Sequence, residues 1–501
     1  MLALLVVMQT APQAPLPASV QRAAQTISPE DIGRRIGIIA DDSMKGRDTP
    51  SPELDKVAAY IGAEYRRFGL KPGGDRGTFI QHYPVKRVQI VADSSVAFVH
   101  GGPPSGATLK YGTDFVFADN TFASGDYAGD LVLVTGSLSA STADTALLAG
   151  KMVLLAVPRI GRGNRERLMK WRPAGVIVLN TAADSTWANI VGRSARPQPR
   201  NPSRQGGGPI FVTARAASLR PVLSALGADL SAPPADSTLV VKPLAGAQLH
   251  VHARIEAAGQ NRAPNVVGVL EGSDPRLKHE YVVFSAHMDH IGVAGRGSGQ
   301  CQARGGDSIC NGADDDGSGT AAVVEIAQAL AGMNPRPKRS IIFLNVSGEE
   351  KGLWGSEYFA NHPAVPITNI VADLNIDMIG RNWRDTIVAI GKEHSDLGAT
   401  LNRIAAEHPE LSMQPIDDIW PDQNFYARSD HYNFARKGVP ILFFFSGTHE
   451  DYHQPGDSPD KIDTEKEARV TRLIFYLGVE IANAPARPRW NPDSYRSIVG
   501  R

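Results

Sequence analysis

The chain has 501 residues, of which 42% are hydrophobic, so it can bury a substantial core and is long enough for two or three domains. Its 52 Lys and Arg residues balance 52 Asp and Glu residues, which leaves no net charge to attract nucleic acid or an acidic membrane surface. No run approaches the roughly 20 apolar residues that a membrane-spanning helix needs. The sequence therefore argues against a nucleic-acid partner and against a membrane span.

Residues 1–20 are predicted to be a signal sequence or a disordered leader. The apolar run M-L-A-L-L-V-V-M precedes small residues, as in a signal peptide, although the usual basic start is missing. The alternative is a frayed terminus of a cytosolic protein. The signal interpretation predicts export to the periplasm or the extracellular space.

The remaining chain is predicted to form an α/β domain with a β-rich insert. An amphipathic helix is expected over Pro52–Phe68 and should end before Gly69. Short β-rich runs separated by turns then replace this pattern, which indicates an inserted domain. The predicted boundaries are 28–109 for the first part of the α/β domain, 110–248 for the insert, 249–484 for the main part and 485–501 for an irregular tail.

Apolar runs typical of buried strands alternate with helical segments in the main part of the α/β domain. This alternation predicts a mixed β-sheet flanked by helices. The predicted strands are Tyr281–Ala286, Ser340–Val346, Ile370–Ile376 and Pro440–Phe445, and the predicted helices include Ser318–Ala331 and Thr464–Ala482.

The two cysteines, Cys301 and Cys310, lie close together in a Gly-rich segment. This arrangement predicts one disulfide in an oxidising compartment. A cytosolic location would instead leave two free thiols.

Five potential metal ligands follow one another in the order His, Asp, Glu, Asp, His. Imidazole and carboxylate donors suit zinc, with cobalt or manganese as substitutes. Several of these residues follow predicted strands, and strand ends in an α/β sheet converge on a crevice at its carboxyl edge. The candidate ligands are His287, Asp315, Glu350, Asp377 and His453.

Three neighbours of these ligands are candidates for other roles. Glu349 adjoins the ligand Glu350 and is predicted to act as general base, because its carboxylate cannot reach the ion that Glu350 binds and can take a proton from water. Asp289 is predicted to accept the second ring N–H of His287 and so fix its tautomer. Tyr452 could donate to an oxyanion or simply pack against the site wall.

The settings of these residues resemble the M28 family of zinc aminopeptidases. The motifs are A-H-M-D-H, N-G-A-D-D-D-G-S-G, S-G-E-E, N-I-D-M-I-G and D-Y-H-Q-P-G-D, together with G-R-D-T-P-S-P-E and R-S-D-H elsewhere in the chain. The insert resembles the protease-associated domain found in such peptidases. The resemblance implies an α/β zinc-peptidase sandwich and the removal of N-terminal residues from peptides with a free amine.

The resemblance also implies two zinc ions per subunit. Asp315 would bridge them, His287 and Asp377 would bind one, and Glu350 and His453 would bind the other. A hydroxide shared by the ions would attack the scissile carbonyl while the general base transfers a proton to the leaving amine. Asp314 and Asp316 would then stabilise the loop.

Other interpretations stay open or are disfavoured. His449 to His453 spell H-E-x-x-H, but Gly447 and Pro455 argue against the helix that a single-zinc protease needs there. Ser318 lacks the context of a serine nucleophile. A carboxypeptidase, a dipeptidase, a glutaminyl cyclase or a non-catalytic binding protein on the same fold remain alternatives, and the oligomeric state is not readable from the sequence.

Overall fold

The computed structural model describes residues 17–91, 93–100, 108–118, 122–136, 147–155, 168–181, 183–203, 208–227, 240–295 and 300–500. The predicted apolar leader segment, Leu2–Met8, lies outside these residues. The described chain divides into two units. The first lies within Met1–His82, Pro264–Ile291 and Ala303–Arg501, and the second within Tyr83–Ala263 and Gly292–Gln302.

Strands are numbered here in chain order. They are β1 (Lys71–Pro72), β2 (Ile80–Ile90), β3 (Ser95–His100), β4 (Thr108–Lys110), β5 (Phe115–Phe117), β6 (Gly125–Thr135), β7 (Met152–Leu155), β8 (Gly175–Asn180), β9 (Gln198–Arg200), β10 (Ile210–Arg215), β11 (Val240–Ala253), β12 (Ile255–Leu270), β13 (Tyr281–His287), β14 (Ser340–Val346), β15 (Ile370–Ile376), β16 (Thr386–Ile390), β17 (Gln414–Ile416) and β18 (Ile441–Phe445).

The α-helices are numbered in the same way. They are α1 (Ala18–Gln25), α2 (Pro29–Ile39), α3 (Pro52–Arg67), α4 (Asp184–Ser194), α5 (Ala216–Ala225), α6 (Gly319–Ala331), α7 (Trp354–Asn361), α8 (Leu397–Glu407), α9 (His431–Ala435), α10 (Thr464–Asn483) and α11 (Pro492–Ile498). Within the described residues, no helix combines the length and the apolar character that crossing a membrane requires.

The first unit contains the strands of a mixed sheet with the order β17-β16-β18-β15-β13-β14-β12. Its centre, β14, β13, β15 and β18, is parallel, whereas β12 pairs with β14 and β16 with β18 in the antiparallel sense. Every residue of β14 and β15 is buried. Helices cover both faces of such a sheet, which explains why its strands read as continuous apolar runs.

Alternate residues of β13 enter two different cores. Val282 and Phe284 lie in the core cluster that contains residues of α1, α2, α3, α6 and α10. Val283 lies in the opposite cluster, together with Phe359 of α7 and Phe434 of α9. The predicted arrangement of a mixed sheet flanked by helices is therefore confirmed, and the predicted strands and helices of this unit agree with the observed ones to within about one residue at each end.

The second unit has its own sheet, with the order β4-β3-β11-β6-β7-β8-β10-β5. The segment β6-β7-β8-β10 is parallel, and the pairs β4-β3, β3-β11, β11-β6 and β10-β5 are antiparallel. Its own core includes Leu131, Leu154, Ile177 and Leu249. The unit is rich in strands, as expected for the insert, and its assignment as a protease-associated domain stays a prediction.

The observed boundaries differ from the predicted ones in three places. Helix α1 begins at Ala18, inside the predicted leader 1–20. Strand β3 pairs with β11 in the second sheet, so the second unit begins before residue 110. The predicted irregular tail, 485–501, contains α11, because Asn491 accepts the backbone N–H groups of the first turn and Pro492 suits the first helical position.

Both cysteines are disulfide-bonded. Since Cys301 and Cys310 are the two cysteines of the chain, they form the disulfide that their spacing predicts. Both side chains are buried, so the bond is shielded from solvent.

Candidate metal centre

The parallel centre of the first sheet explains how distant residues meet. Strands β13, β14, β15 and β18 all end at one edge, and polar residues stand at or just after these ends. His287 is the last residue of β13, Asp377 follows β15 directly, and Glu350 lies in the turn after β14. His453 lies in the longer loop after β18. These are the positions at which open α/β sheets bind ligands.

Asp315 lies between two pairs of potential metal ligands. Its Oδ1 atom is 3.4 Å from His287 Nε2, and the same nitrogen is 3.6 Å from Asp377 Oδ1. Its Oδ2 atom is 3.2 Å from His453 Nε2, which is 3.3 Å from Glu350 Oε2. The structure thus brings all five predicted ligands together and orients the two oxygens of Asp315 towards different pairs.

Asp316 holds three backbone segments at this edge. Its Oδ2 atom accepts the N–H of His287 at 3.1 Å, and its Oδ1 atom accepts those of Gly319 at 2.8 Å and Met378 at 3.2 Å. It therefore ties the end of β13 to the start of α6 and to the turn after β15. Its carboxylate is committed to backbone donors, as the loop-stabilising role predicts.

The backbone around the Asp triplet is fixed by Asp457. One of its oxygens accepts the N–H of Asp314 at 2.9 Å, and the other accepts that of Asp315 at 3.1 Å. The side chain of Asp314 in turn accepts the N–H of Gly380 at 2.7 Å. Asp457 belongs to the D-Y-H-Q-P-G-D motif, but no separate role for it was predicted.

Asp289 lies beside His287 and also contacts the backbone of Glu349. Its backbone carbonyl lies 3.2 Å from His287 Nδ1, whereas its carboxylate is 3.7 Å away, beyond hydrogen-bond distance. The carboxylate instead accepts the hydroxyl of Thr49 at 2.8 Å and the backbone N–H of Glu349 at 3.3 Å. The carboxylate of Asp289 therefore lies near the ring of His287, and its role in fixing the tautomer of this ring stays a prediction. Asp289 positions the backbone of the predicted base, whose side chain is buried beside Glu350.

The H-E-x-x-H segment is not helical. Residues 449–453 follow β18 as a turn, and His453 has φ +58°. His449 Nε2 lies 3.3 Å from Asp314 Oδ2 and faces neither donor pair. A single-zinc site of the helical type is therefore absent from this segment. His449 instead lies against Asp314, the first residue of the Asp triplet.

Tyr452 stacks on His453, with ring centroids 3.9 Å apart and planes inclined by 24°. It also packs against a core cluster that contains Phe443 and Phe445. Packing against the site wall is thus observed, and an oxyanion role stays a prediction.

Two further residues lie at the site for which the sequence analysis predicted no role. Ser429 of the R-S-D-H run donates its hydroxyl to Asp377 Oδ2 at 2.9 Å and accepts from Asn375 Nδ2 at 3.0 Å. The ring of His290 is fully buried, with Nδ1 2.9 Å from Glu350 Oε1. His290 is the second histidine of the A-H-M-D-H motif, and its place in that motif is the one sequence feature that could have indicated a role.

Arg47, in the G-R-D-T segment, is buried and links two of the ligand loops. Its guanidinium donates to the carbonyls of Met288 at 2.7 Å and Gly312 at 2.6 Å, and also to the carbonyl of Asn311. The G-R-D-T motif did not predict these contacts, because they join residues more than 240 positions apart and depend on the fold.

Replacing Arg47 with Lys is expected to destabilise the metal-free protein by about 3 kcal/mol. A lysine carries one ammonium group and cannot reproduce the planar fork, so buried carbonyls lose their donors. Urea unfolding of the chelator-treated protein would measure the change. Arg22→Lys, at an exposed position of α1, is the control and should stay within about 0.5 kcal/mol of the parent. An equally small change for Arg47→Lys would contradict the role given to this side chain.

The donor set is suited to cations. Asp315 Oδ2, Glu350 Oε1 and both ring nitrogens of His290 are buried without a hydrogen-bond partner. Burial lowers the pKa of His453, but Glu350 and Asp315 outweigh it and raise that pKa to about 10. Burial likewise lowers the pKa of His287, whereas the carboxylates of Asp377, Asp289 and Asp315 raise that pKa well above its usual value. The carboxylates thus favour positive charge at this edge, and a divalent cation competes with protons for the same nitrogens.

Residues 265–478 match peptidase family M28. Over 224 residues the chain is 30% identical to a probable zinc metalloprotease of Pyrenophora tritici-repentis, an alignment that covers 36% of this chain and 46% of that protein. Over 247 residues it is 25% identical to an aminopeptidase of Bacillus subtilis, covering 47% of this chain and 48% of that protein. The chain therefore spans about half the length of these curated relatives.

Solved structures with the same fold include an aminopeptidase from Aneurinibacillus sp. strain AM-1. The superposition has a TM-score of 0.53 at 18% identity and covers 94% of this chain and 98% of that one. A zinc aminopeptidase from Bacillus subtilis gives a TM-score of 0.52 at 16% identity, covering 91% and 95% of the two chains. At such low identity these likenesses support a common fold.

Proposed function

We infer the function of this chain from its membership of peptidase family M28, to which residues 265–478 belong. We propose that it is a zinc-dependent aminopeptidase that binds two zinc ions and removes N-terminal residues from peptides. The names of the Pyrenophora and Bacillus relatives support zinc and aminopeptidase activity.

The observation that carries the proposal is the position of Asp315 between two donor pairs. Each pair consists of one imidazole and one carboxylate, and each faces its own oxygen of Asp315. His287 and Asp377 would hold one ion, and Glu350 and His453 the other. Zinc accepts such nitrogen and oxygen donors and keeps an open position in catalytic sites.

Two zinc ions, when bound, would lower the pKa of water and stabilise negative charge on the carbonyl oxygen of the substrate. The chain itself must transfer the proton. Glu349 is suited to this step, because it is buried next to Glu350 and its backbone is anchored through its N–H to Asp289. It would take a proton from the attacking water and return it to the leaving amine.

Hydrolysis of aminoacyl-p-nitroanilides and their N-blocked counterparts tests the proposal. We expect cleavage of the free-amine substrates alone, its loss on chelation and its return when two equivalents of zinc are restored. Cleavage of blocked substrates would point to another peptidase class. Binding of two zinc ions without cleavage of any substrate in the panel would favour a dipeptidase, a cyclase or a binding protein on this fold.

We also propose that the protein acts in the periplasm or outside the cell. The disulfide between Cys301 and Cys310 supports an oxidising compartment. Fractionation of the producing cells tests this location, and recovery of the protein from the cytoplasm with both thiols reduced would contradict it.

A further inference from the structure

His290 has an unexplained position beside the second donor pair. Its Nδ1 atom lies 2.9 Å from Glu350 Oε1 and 3.8 Å from Asp315 Oδ2. The ring is fully buried, and neither of its nitrogens has a hydrogen-bond partner. A buried imidazole without partners is costly unless something else satisfies it.

His290 Nδ1 and Glu350 Oε1 are close enough for an ion pair, but the ring N–H is poorly aligned for a hydrogen bond. His290, Asp315 and Glu350 each offer one ligand atom, and these three atoms all lie within 4.8 Å of one another, as the ligands of one metal ion would. In a tetrahedral zinc site with zinc–nitrogen bonds of roughly 2.0–2.1 Å, ligand atoms are about 3.3 Å apart.

His453 approaches the same two carboxylates from another direction. Its Nε2 atom is 3.2 Å from Asp315 Oδ2 and 3.3 Å from Glu350 Oε2. The rings of His290 and His453 have centroids 5.7 Å apart and planes inclined by 74°. Two imidazoles and two carboxylates therefore surround one position.

The fold holds the ring of His290 in place. A Cβ atom on Gly312 would lie 2.5 Å from His290 Cγ, so the glycine, with φ +63°, leaves the space that the ring fills. The backbone N–H of His290 donates to the carbonyl of Arg47 at 3.3 Å. These contacts fix the approach of Nδ1 towards Glu350.

We propose that His290 Nδ1 is an additional ligand of the ion held by Glu350 and His453. This inference rests on the proposed two-zinc function. It gives that ion four protein donors, namely His290, His453, Glu350 and Asp315, whereas the other ion has three. The site with four donors binds its ion first and more tightly, and the site with three donors keeps an open position.

Titration of the metal-free protein with cobalt and zinc tests this assignment. Competition with a chelator that changes colour on metal binding measures the affinity of each equivalent. The parent should bind two equivalents of metal, the first far more tightly than the second. His290→Asn keeps an N–H close to the position of Nδ1 but not an imidazole lone pair. We expect it to lose more than about 100-fold in affinity for the first equivalent, beyond the roughly 10–100-fold typical of outer-shell changes. His408→Asn, which removes a buried imidazole stacked on Tyr476, is the matched control and should bind as the parent does.

A first equivalent bound by His290→Asn as tightly as by the parent would overturn the inference and leave the two-zinc proposal intact. Failure of the parent to bind zinc would overturn both. X-ray absorption of the parent with one equivalent of cobalt provides a measurement that needs no variant. Two imidazoles per cobalt support the assignment, and one imidazole overturns it.

Discussion

Glu349→Gln is expected to lower kcat by about 10²–10⁴-fold while both zinc ions stay bound. The amide retains the size of the carboxylate but cannot accept the proton of the attacking water, and general-base catalysis contributes about this much. The side chain is buried beside the ligand Glu350, and the backbone N–H of Glu349 donates to Asp289 at 3.3 Å. Steady-state hydrolysis of an aminoacyl-p-nitroanilide, together with zinc analysis of the same sample, measures both quantities.

Glu350→Gln is the matched control, because it changes the neighbouring carboxylate in the same way. That variant should lose zinc from one site, since Glu350 Oε2 lies 3.3 Å from His453 Nε2. The two variants therefore separate proton transfer from metal binding. A Glu349→Gln protein that keeps most of its kcat would assign the base to another residue.

Asp315→Asn is expected to abolish the tight binding of a pair of ions. The two oxygens of Asp315 face different donor pairs, at 3.4 Å from His287 and 3.2 Å from His453, so one substitution affects both sites. A neutral amide is a weak zinc ligand, and its nitrogen cannot bind the second ion at all. Zinc content after dialysis should fall below two per chain, with a loss of activity of several orders of magnitude.

Asp316→Asn provides the contrast with this result. Its two carboxylate oxygens accept three backbone N–H groups, and an amide would turn one of these contacts into a clash of two donors. We expect a loss of about 1–3 kcal/mol in the free energy of unfolding of the metal-free protein. Asp315→Asn should show a smaller loss, because its carboxylate faces the rings of His287 and His453 rather than any backbone N–H group of the described residues. The opposite ranking in urea unfolding would mean that the bridging position had been assigned to the wrong member of the triplet.

The elements of the first unit could be predicted because their signals are local. Strands β14 and β15 are buried at every position, and helix α10 has an N-cap, Asp463, directly before it and an apolar face along its length. The tail was mispredicted because Arg and Pro suggested irregular structure, whereas Asn491 and Pro492 start a helix there. The start of the insert was misplaced because β3 looks the same in sequence whichever sheet it joins.

The sequence by itself determined the class of fold, the order of the strands that carry ligands and the five candidate ligands. The class of fold follows from local periodicity and from the rule that parallel strands end at one edge, whereas the choice of the five ligands rests on motifs that resemble those of the M28 family. Only the tertiary structure decided that both oxygens of Asp315 face potential ligands, that the carbonyl of Asp289 lies closer to His287 than its carboxylate does, and that Arg47 and His290 belong to the site. Such contacts join residues far apart in the chain or depend on shifts below one ångström. They are set by the packing of loops against one another, which no local pattern in the sequence encodes.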